Sequence, residues 1–192
     1  MLLVTATNDL RERRRLATQG EIEAVALELF AERGSERTTV EDIAAAAGVS
    51  QRTFFRYFPT KEDAALGVNR SFQEAFTAEL ARGRNVFEAV EATLAGLRTR
   101  DGAVERLLRV RCLLARDDNL NRAAIAFDTQ ACHSNQKLMG GTLRARVVME
   151  TVSVALRASL DDWALRRHDG EDADLLEIFR EACRYTNLTE TP

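Results

Sequence analysis

Apolar residues along this chain recur every three or four positions and show no β-type alternation, so the pattern predicts helices throughout. The stripe Ile22, Val25, Ala26, Leu29 and Phe30 predicts a first helix over 20–33, ended by Gly34. Two short helices follow between residues 38 and 58. A fourth helix opens after Thr60, reaches about residue 81 and carries Leu66, Phe72, Phe76 and Leu80 on one stripe. Further helices are expected over 85–97, 102–115, 120–136, 142–167 and 172–185, and both prolines fall outside them. The expected fold class is therefore all-α with about nine helices.

The segment from Thr38 to Asp63, T-T-V-E-D-I-A-A-A-A-G-V-S-Q-R-T-F-F-R-Y-F-P-T-K-E-D, has a local physical reason at each step. Thr38 and Thr39, with Glu41 and Asp42 three residues on, are expected to form capping boxes that open a helix at Val40. The alanine run 44–47 favours helix and close approach, and Gly48 supplies the turn. Ser50 caps the next helix, which stops near Tyr57 because Pro59 pushes Phe58 out of the α region. Thr60 and Asp63 then cap a fresh start. Two short helices around a glycine turn are the layout of a helix-turn-helix, whose second helix enters the DNA major groove.

On that second helix Phe54 and Phe58 lie one turn apart and are expected to pack with Val49 and Ile43, which leaves Gln51, Arg52, Phe55 and Arg56 on other faces. Arginine can fork to guanine, glutamine to adenine, and an aromatic edge can touch a thymine methyl. Thr53, Tyr57 and Lys61 offer hydroxyl, phenol and ammonium groups suited to phosphates, which fix register without reading sequence.

The stretch A-L-E-L-F-A-E-R-G (Ala26 to Gly34), followed by T-T-V-E-D-I-A-A-A-A-G-V-S and T-F-F-R-Y-F-P-T-K-E-D, closely resembles the DNA-binding domain of tetracycline-repressor-type (TetR) regulators. The resemblance covers about the first third of the chain. It implies DNA contacts at Thr39, Gln51, Arg52, Thr53, Phe55, Tyr57 and Lys61. Many members carry tyrosine where this chain has Phe55, so an apolar role is expected there in place of a phosphate hydrogen bond. The expected division is a helix-turn-helix domain over 1–60, with a flexible basic arm over 1–18, and a helical effector-binding and dimerisation domain over 61–192. By the same resemblance, the helix after Thr60 transmits ligand state to the head.

Composition narrows the partners. With 192 residues, 45% of them apolar, the chain can bury a sizeable core, and a net charge of −3 excludes binding nucleic acid by bulk charge. Any DNA contact is therefore local. Arg11, Arg13, Arg14 and Arg15 form the densest basic cluster, read either as a solvated tail or as an arm reaching a neighbouring groove. Cys112, Cys132 and Cys183 have no ligand-like spacing, and no secretory signal or long apolar span is visible. A cytoplasmic protein with reduced thiols, no cofactor, no metal and no membrane partner is expected; a redox pair is the other reading of the cysteines.

The helix over 142–167 carries Val147, Val148, Thr151, Val152, Val154, Ala155, Leu156, Ala158 and Leu160 on more than one face. It is either a central core helix or one shared between a core and a dimer interface. Family resemblance favours a homodimer through the last two long helices, 142–167 and 172–185, which would present two reading helices to a palindromic operator with half-sites about 34–36 Å apart, or a multiple of it.

The resemblance also implies a small-molecule effector in the body that lowers affinity for DNA. Candidate lining residues are Phe72, Phe76, Phe87, Leu97, Leu113, Phe127, Met149 and Trp163, each of which also reads as an ordinary core position; Arg106, Arg109, Arg111 and Arg144 are candidates for an acidic head group, with surface solvation as the other reading. The head also resembles regulators of the mycofactocin-system type, which implies an acyl-thioester-like effector. No phosphate loop, paired cysteine ligands or nucleophile elbow occurs, and His168-Asp169 lacks a second histidine nearby, so no enzyme is expected. Two alternatives stand beside a ligand-released repressor: a DNA-binding dimer without an effector, and an activator.

Overall fold

The computed structural model describes residues 2–100 and 102–186, with side chains from Leu10 onward. Among the described residues the chain forms ten α-helices and no strand. They are α1 (Leu2–Arg33), α2 (Val40–Ala46), α3 (Gln51–Tyr57), α4 (Lys61–Ala65), α5 (Gly67–Ala81), α6 (Val86–Arg98), α7 (Ala103–Leu114), α8 (Asp118–Leu138), α9 (Leu143–His168) and α10 (Leu175–Tyr185). Two compact units emerge. One runs up to Gly67 and takes in Asp117–Ala123; the other comprises Val68–Arg116 and the chain from Ala124 onward.

Three boundaries differ from the pattern's expectation by more than two residues or by a break in the helix. Helix α1 continues back to Leu2, where a flexible arm over 1–18 is the expectation from sequence. No proline interrupts it, and Arg15 Nη2 bonds Glu12 Oε1 at 2.7 Å one turn away. The single helix expected after Thr60 is two, because α4 stops at Leu66 and α5 restarts at Gly67. Helix α10 starts three residues late, since the Asp174 carboxylate accepts from the Leu176 and Glu177 N–H groups and so caps it there.

The first unit is built on phenylalanine. Phe30, Phe54 and Phe58 are buried together with Ile22, Ala26, Ile43, Ala64 and Ala65. Complete burial of each such ring stabilises the unit by about 1.5–3 kcal/mol. Helices α2 and α4 both pack on α1, and α3 packs on α2. Ser35 ties in the start of α8: its N–H and hydroxyl both donate at 2.7 Å to the Asp117 carboxylate, which also accepts from the Leu120 N–H. Burial pushes the Asp117 carboxyl up, but these donors outweigh it and hold the pKa below the ordinary value.

The second unit packs α9 against α10, α7 and α6, with α6 also meeting α7 and α10. Its core includes Val90, Leu94, Leu107, Met149, Val152 and Trp163, and Phe87 stacks on Phe179 with ring centroids 5.6 Å apart. The three cysteines are free thiols: Cys132 and Cys183 are buried and Cys112 partly so. Burial pushes the Cys183 thiol up to about 11, which makes it a poor nucleophile at neutral pH.

Candidate functional site

Helix α3 is placed by its caps. Thr39 closes a capping box on α2, its hydroxyl accepting from the Asp42 N–H at 3.1 Å while its own N–H donates to Asp42 Oδ2 at 2.8 Å. The Thr39 backbone bond, with the hydroxyl and Arg33 behind it, lowers the Asp42 pKa. Thr38 does not form the second box expected of it. It is buried, and its hydroxyl donates to the Gly34 carbonyl at 2.9 Å, closing the α1–α2 turn. Gly48 carries φ +65°, a left-handed backbone that only glycine adopts at no steric cost, and the turn delivers Ser50 as the cap of α3.

On α3, Phe54 is wholly buried, with the Phe58 ring 5.8 Å away, and this fixes the rotation of the helix. Gln51, Arg52, Phe55 and Arg56 consequently face solvent. Phe55 is 54% exposed and stands edge-on to Phe54 at 5.6 Å. The rest of this exposed phenyl ring, amid arginines, suits contact with a base methyl. Arg56 lies over the Tyr57 ring at 5.1 Å, which holds its guanidinium at the helix end. Thr39 is exposed at the start of α2, and Thr53 and Tyr57 are half-buried.

Lys61 stands apart from this set. Its ammonium donates to the Ser35 carbonyl at 2.5 Å and the Thr38 carbonyl at 2.8 Å, with Glu62 at 3.8 Å. Two of its three donors are engaged inside the unit, bracing the turn that presents Thr39. These partners lie 23 and 26 residues back, beyond the reach of a local reading.

The second unit contains a cavity of about 100 Å³. Phe72, Phe76, Leu97 and Met149 line it. The other four residues expected there lie elsewhere. Phe87 is stacked on Phe179, Leu113 is buried away from the cavity, Phe127 lines a shallow depression with Arg70 and Ala81, and Trp163 is buried with its indole N–H on the Ala173 carbonyl at 3.1 Å. Helical periodicity marks all eight as inward-facing but does not say which inward faces leave a gap between them. The wall also holds polar residues that the apolar pattern passes over: Asn69, Gln73 and Asp128. Of the body arginines weighed for a head group, Arg111 lines the cavity and Arg106, Arg109 and Arg144 do not.

Among the described residues no group of three or more His, Cys, Asp or Glu is arranged to hold a metal ion, and no helix is long and apolar enough to cross a membrane.

Comparison with known proteins agrees with this geometry. Residues 22–66, which contain α2, α3 and α4, match the family described as bacterial regulatory proteins, tetR family. The chain is 42% identical over 101 residues to the HTH-type transcriptional regulator TcmR of Streptomyces glaucescens, covering 50% of this chain and 45% of that protein. It is 51% identical over 49 residues to a protein named as a mycofactocin biosynthesis transcriptional regulator, MftR, of Mycobacterium tuberculosis, covering 26% and 25%. The chain therefore matches less than half the length of either relative. A transcriptional regulator from Aquifex aeolicus VF5 shares the fold, with a TM-score of 0.51 and 18% identity over 90% of this chain and 99% of that one. The caps, the glycine turn and the buried phenylalanines fall within residues 22–66, the segment that matches the tetR family of bacterial regulatory proteins.

Proposed function

We propose that this protein is a sequence-specific DNA-binding transcriptional regulator, a homodimeric repressor that leaves a palindromic operator when a small, largely apolar ligand enters its second unit. The observation that carries the reading is the solvent-facing set Gln51, Arg52, Phe55 and Arg56 on a helix whose opposite side is locked by Phe54. Arg52 and Gln51 read base edges, Phe55 touches a base methyl, and Thr39, Thr53, Arg56 and Tyr57 meet phosphates. Lys61 acts by holding the α1–α2 turn, with any phosphate contact secondary. DNA binding belongs to the first unit, effector binding and dimerisation to the second, and the protein works in the cytoplasm.

The dimer reading rests on α9. Leu143, Val147, Val154 and Leu165 are 77%, 56%, 60% and 61% exposed, and at 100° per residue they fall on one face of the helix. A stripe of large apolar residues along a 26-residue helix is a surface awaiting a partner, and a second copy of the chain satisfies it. Light scattering is expected to give twice 21.4 kDa for the wild type and a lower mass for Val154→Glu. A wild-type mass of one chain would remove the palindrome from the reading. For DNA binding, genomic fragments captured by the purified protein at fixed physiological salt are expected to share an inverted repeat. Recovery in proportion to fragment length alone would reject sequence-specific regulation.

A further inference from the structure

The cavity wall is apolar over most of its extent, through Phe72, Phe76, Leu97, Met149, Val152 and Leu160, but it also carries polar residues, several of them in a cluster. Asp128 is the centre of that cluster: Gln73 and Asn69 hydrogen-bond to its carboxyl, and Arg157 and Arg111 face it. Two atoms of the cluster are buried without a partner. They are Arg111 Nε, a donor, and Asn69 Oδ1, an acceptor. The Arg111 side chain is only 9% exposed, and its Nη2 is already engaged by Asp161. A buried polar atom left unmatched costs the desolvation of that group, and here one donor and one acceptor stand on the same wall.

The charges of the cluster cancel, Arg111 and Arg157 against Asp128 and Asp161. The remaining charged residue of the wall, Glu150, accepts from Gln136 at 3.2 Å and adds no positive charge. An anionic ligand would find no surplus cation, so the unmatched atoms call for neutral hydrogen-bonding groups.

We infer that the cavity takes an uncharged molecule with an apolar, ring-sized body and, at one end, a carbonyl oxygen next to a hydroxyl group. The carbonyl accepts from Arg111 Nε and the hydroxyl donates to Asn69 Oδ1. The inference rests on the proposed effector role of the cavity and narrows it, setting a free fatty acid aside. A volume of about 100 Å³ matches a single ring better than a long chain.

The test is calorimetric titration of the full-length protein with α-hydroxyacetophenone, acetophenone, benzoate and ethylbenzene, four probes of similar body and different polar end. α-Hydroxyacetophenone is expected to bind at least about tenfold more tightly than ethylbenzene or benzoate, with acetophenone between, since one net hydrogen bond is worth about that factor. Arg111→Met should abolish the preference for the carbonyl compounds and leave ethylbenzene within about threefold. Asn69→Leu should erase the advantage of α-hydroxyacetophenone over acetophenone, and it leaves the Arg111–Asp161 pair in place should the other variant fail to fold. Equal binding of ethylbenzene and the hydroxy ketone would overturn the inference while keeping the cavity as a ligand site. Tightest binding of benzoate would overturn it in favour of an anion site. If none of the four binds, the effector reading of the cavity falls and the inference with it.

Discussion

The first unit and the cavity of the second achieve their chemistry in opposite ways. In the first, the exposed side chains of α3 are placed by neighbours within a few residues: Ser50 caps α3, Phe54 sets its rotation, and Gly48 turns the chain. In the cavity, Asn69 on α5, Arg111 on α7 and Asp128 on α8 meet only because three helices converge. A surface that meets a long regular polymer can be built from one short helix. A concave site for a small molecule needs walls from several directions, so its residues are scattered along the chain.

The strongest way to break the comparison is at Phe54. Phe54→Ala is expected to cost about 3–5 kcal/mol by cavity formation and to abolish DNA binding, read by urea denaturation and anisotropy. Retained DNA affinity would mean that the helix does not depend on this anchor. Lys61→Met should come next, losing about 1.5–3 kcal/mol of stability as two bonds from a charged donor disappear. Should stability hold while the salt slope of DNA binding falls by about one, Lys61 is a phosphate contact and not a brace. Arg52→Ala is expected to leave the fold intact and cost about 1–3 kcal/mol on the operator with random DNA unaffected. Equal losses on both would take Arg52 out of base reading.

The smallest effect concerns pH, where the two regions have opposite sign. The carboxyls of Asp42 and Asp117 have lowered pKa values, so their contribution is present above the unfolded value and lost as pH falls through the folded one. Asp128 is raised, chiefly by desolvation that Arg157, Arg111, Gln73 and Asn69 do not offset. Its contribution is full below the unfolded value and lost as pH rises through the folded one. Urea midpoints across the mildly acidic range should thus rise with pH less steeply for Asp42→Asn than for wild type, and more steeply for Asp128→Asn. Parallel profiles for both variants would contradict the assignment.

The same contrast explains what was legible in the sequence. The helices of the first unit, the Thr39, Ser50 and Thr60 caps and the exposed face of α3 follow from spacings of three and four residues. Thr38 misleads because a buried hydroxyl bonded to the Gly34 carbonyl has the same sequence signature as a cap. The two-part start of the helix after Thr60 has no breaker stronger than Gly67, and the role of Lys61 depends on carbonyls far back along the chain. Phe72, Phe76, Leu97 and Met149 lie on the cavity wall, while Phe87 and Trp163 have the same periodic signature and fill the core instead. The polar cluster was the least visible part. Asn69, Gln73 and Asp128 look like solvated helix positions until the fold brings them to Arg111.

The central claim is that α3 reads sequence. It is tested most directly by selecting binding sites from a random duplex pool with wild type and with the doubly substituted Gln51→Ala, Arg52→Ala protein, at one stated salt concentration because phosphate affinity depends on it. Wild type is expected to enrich a palindromic site that the variant loses, with non-specific affinity kept. The same site enriched by both proteins, or no enrichment by the wild type, would contradict it.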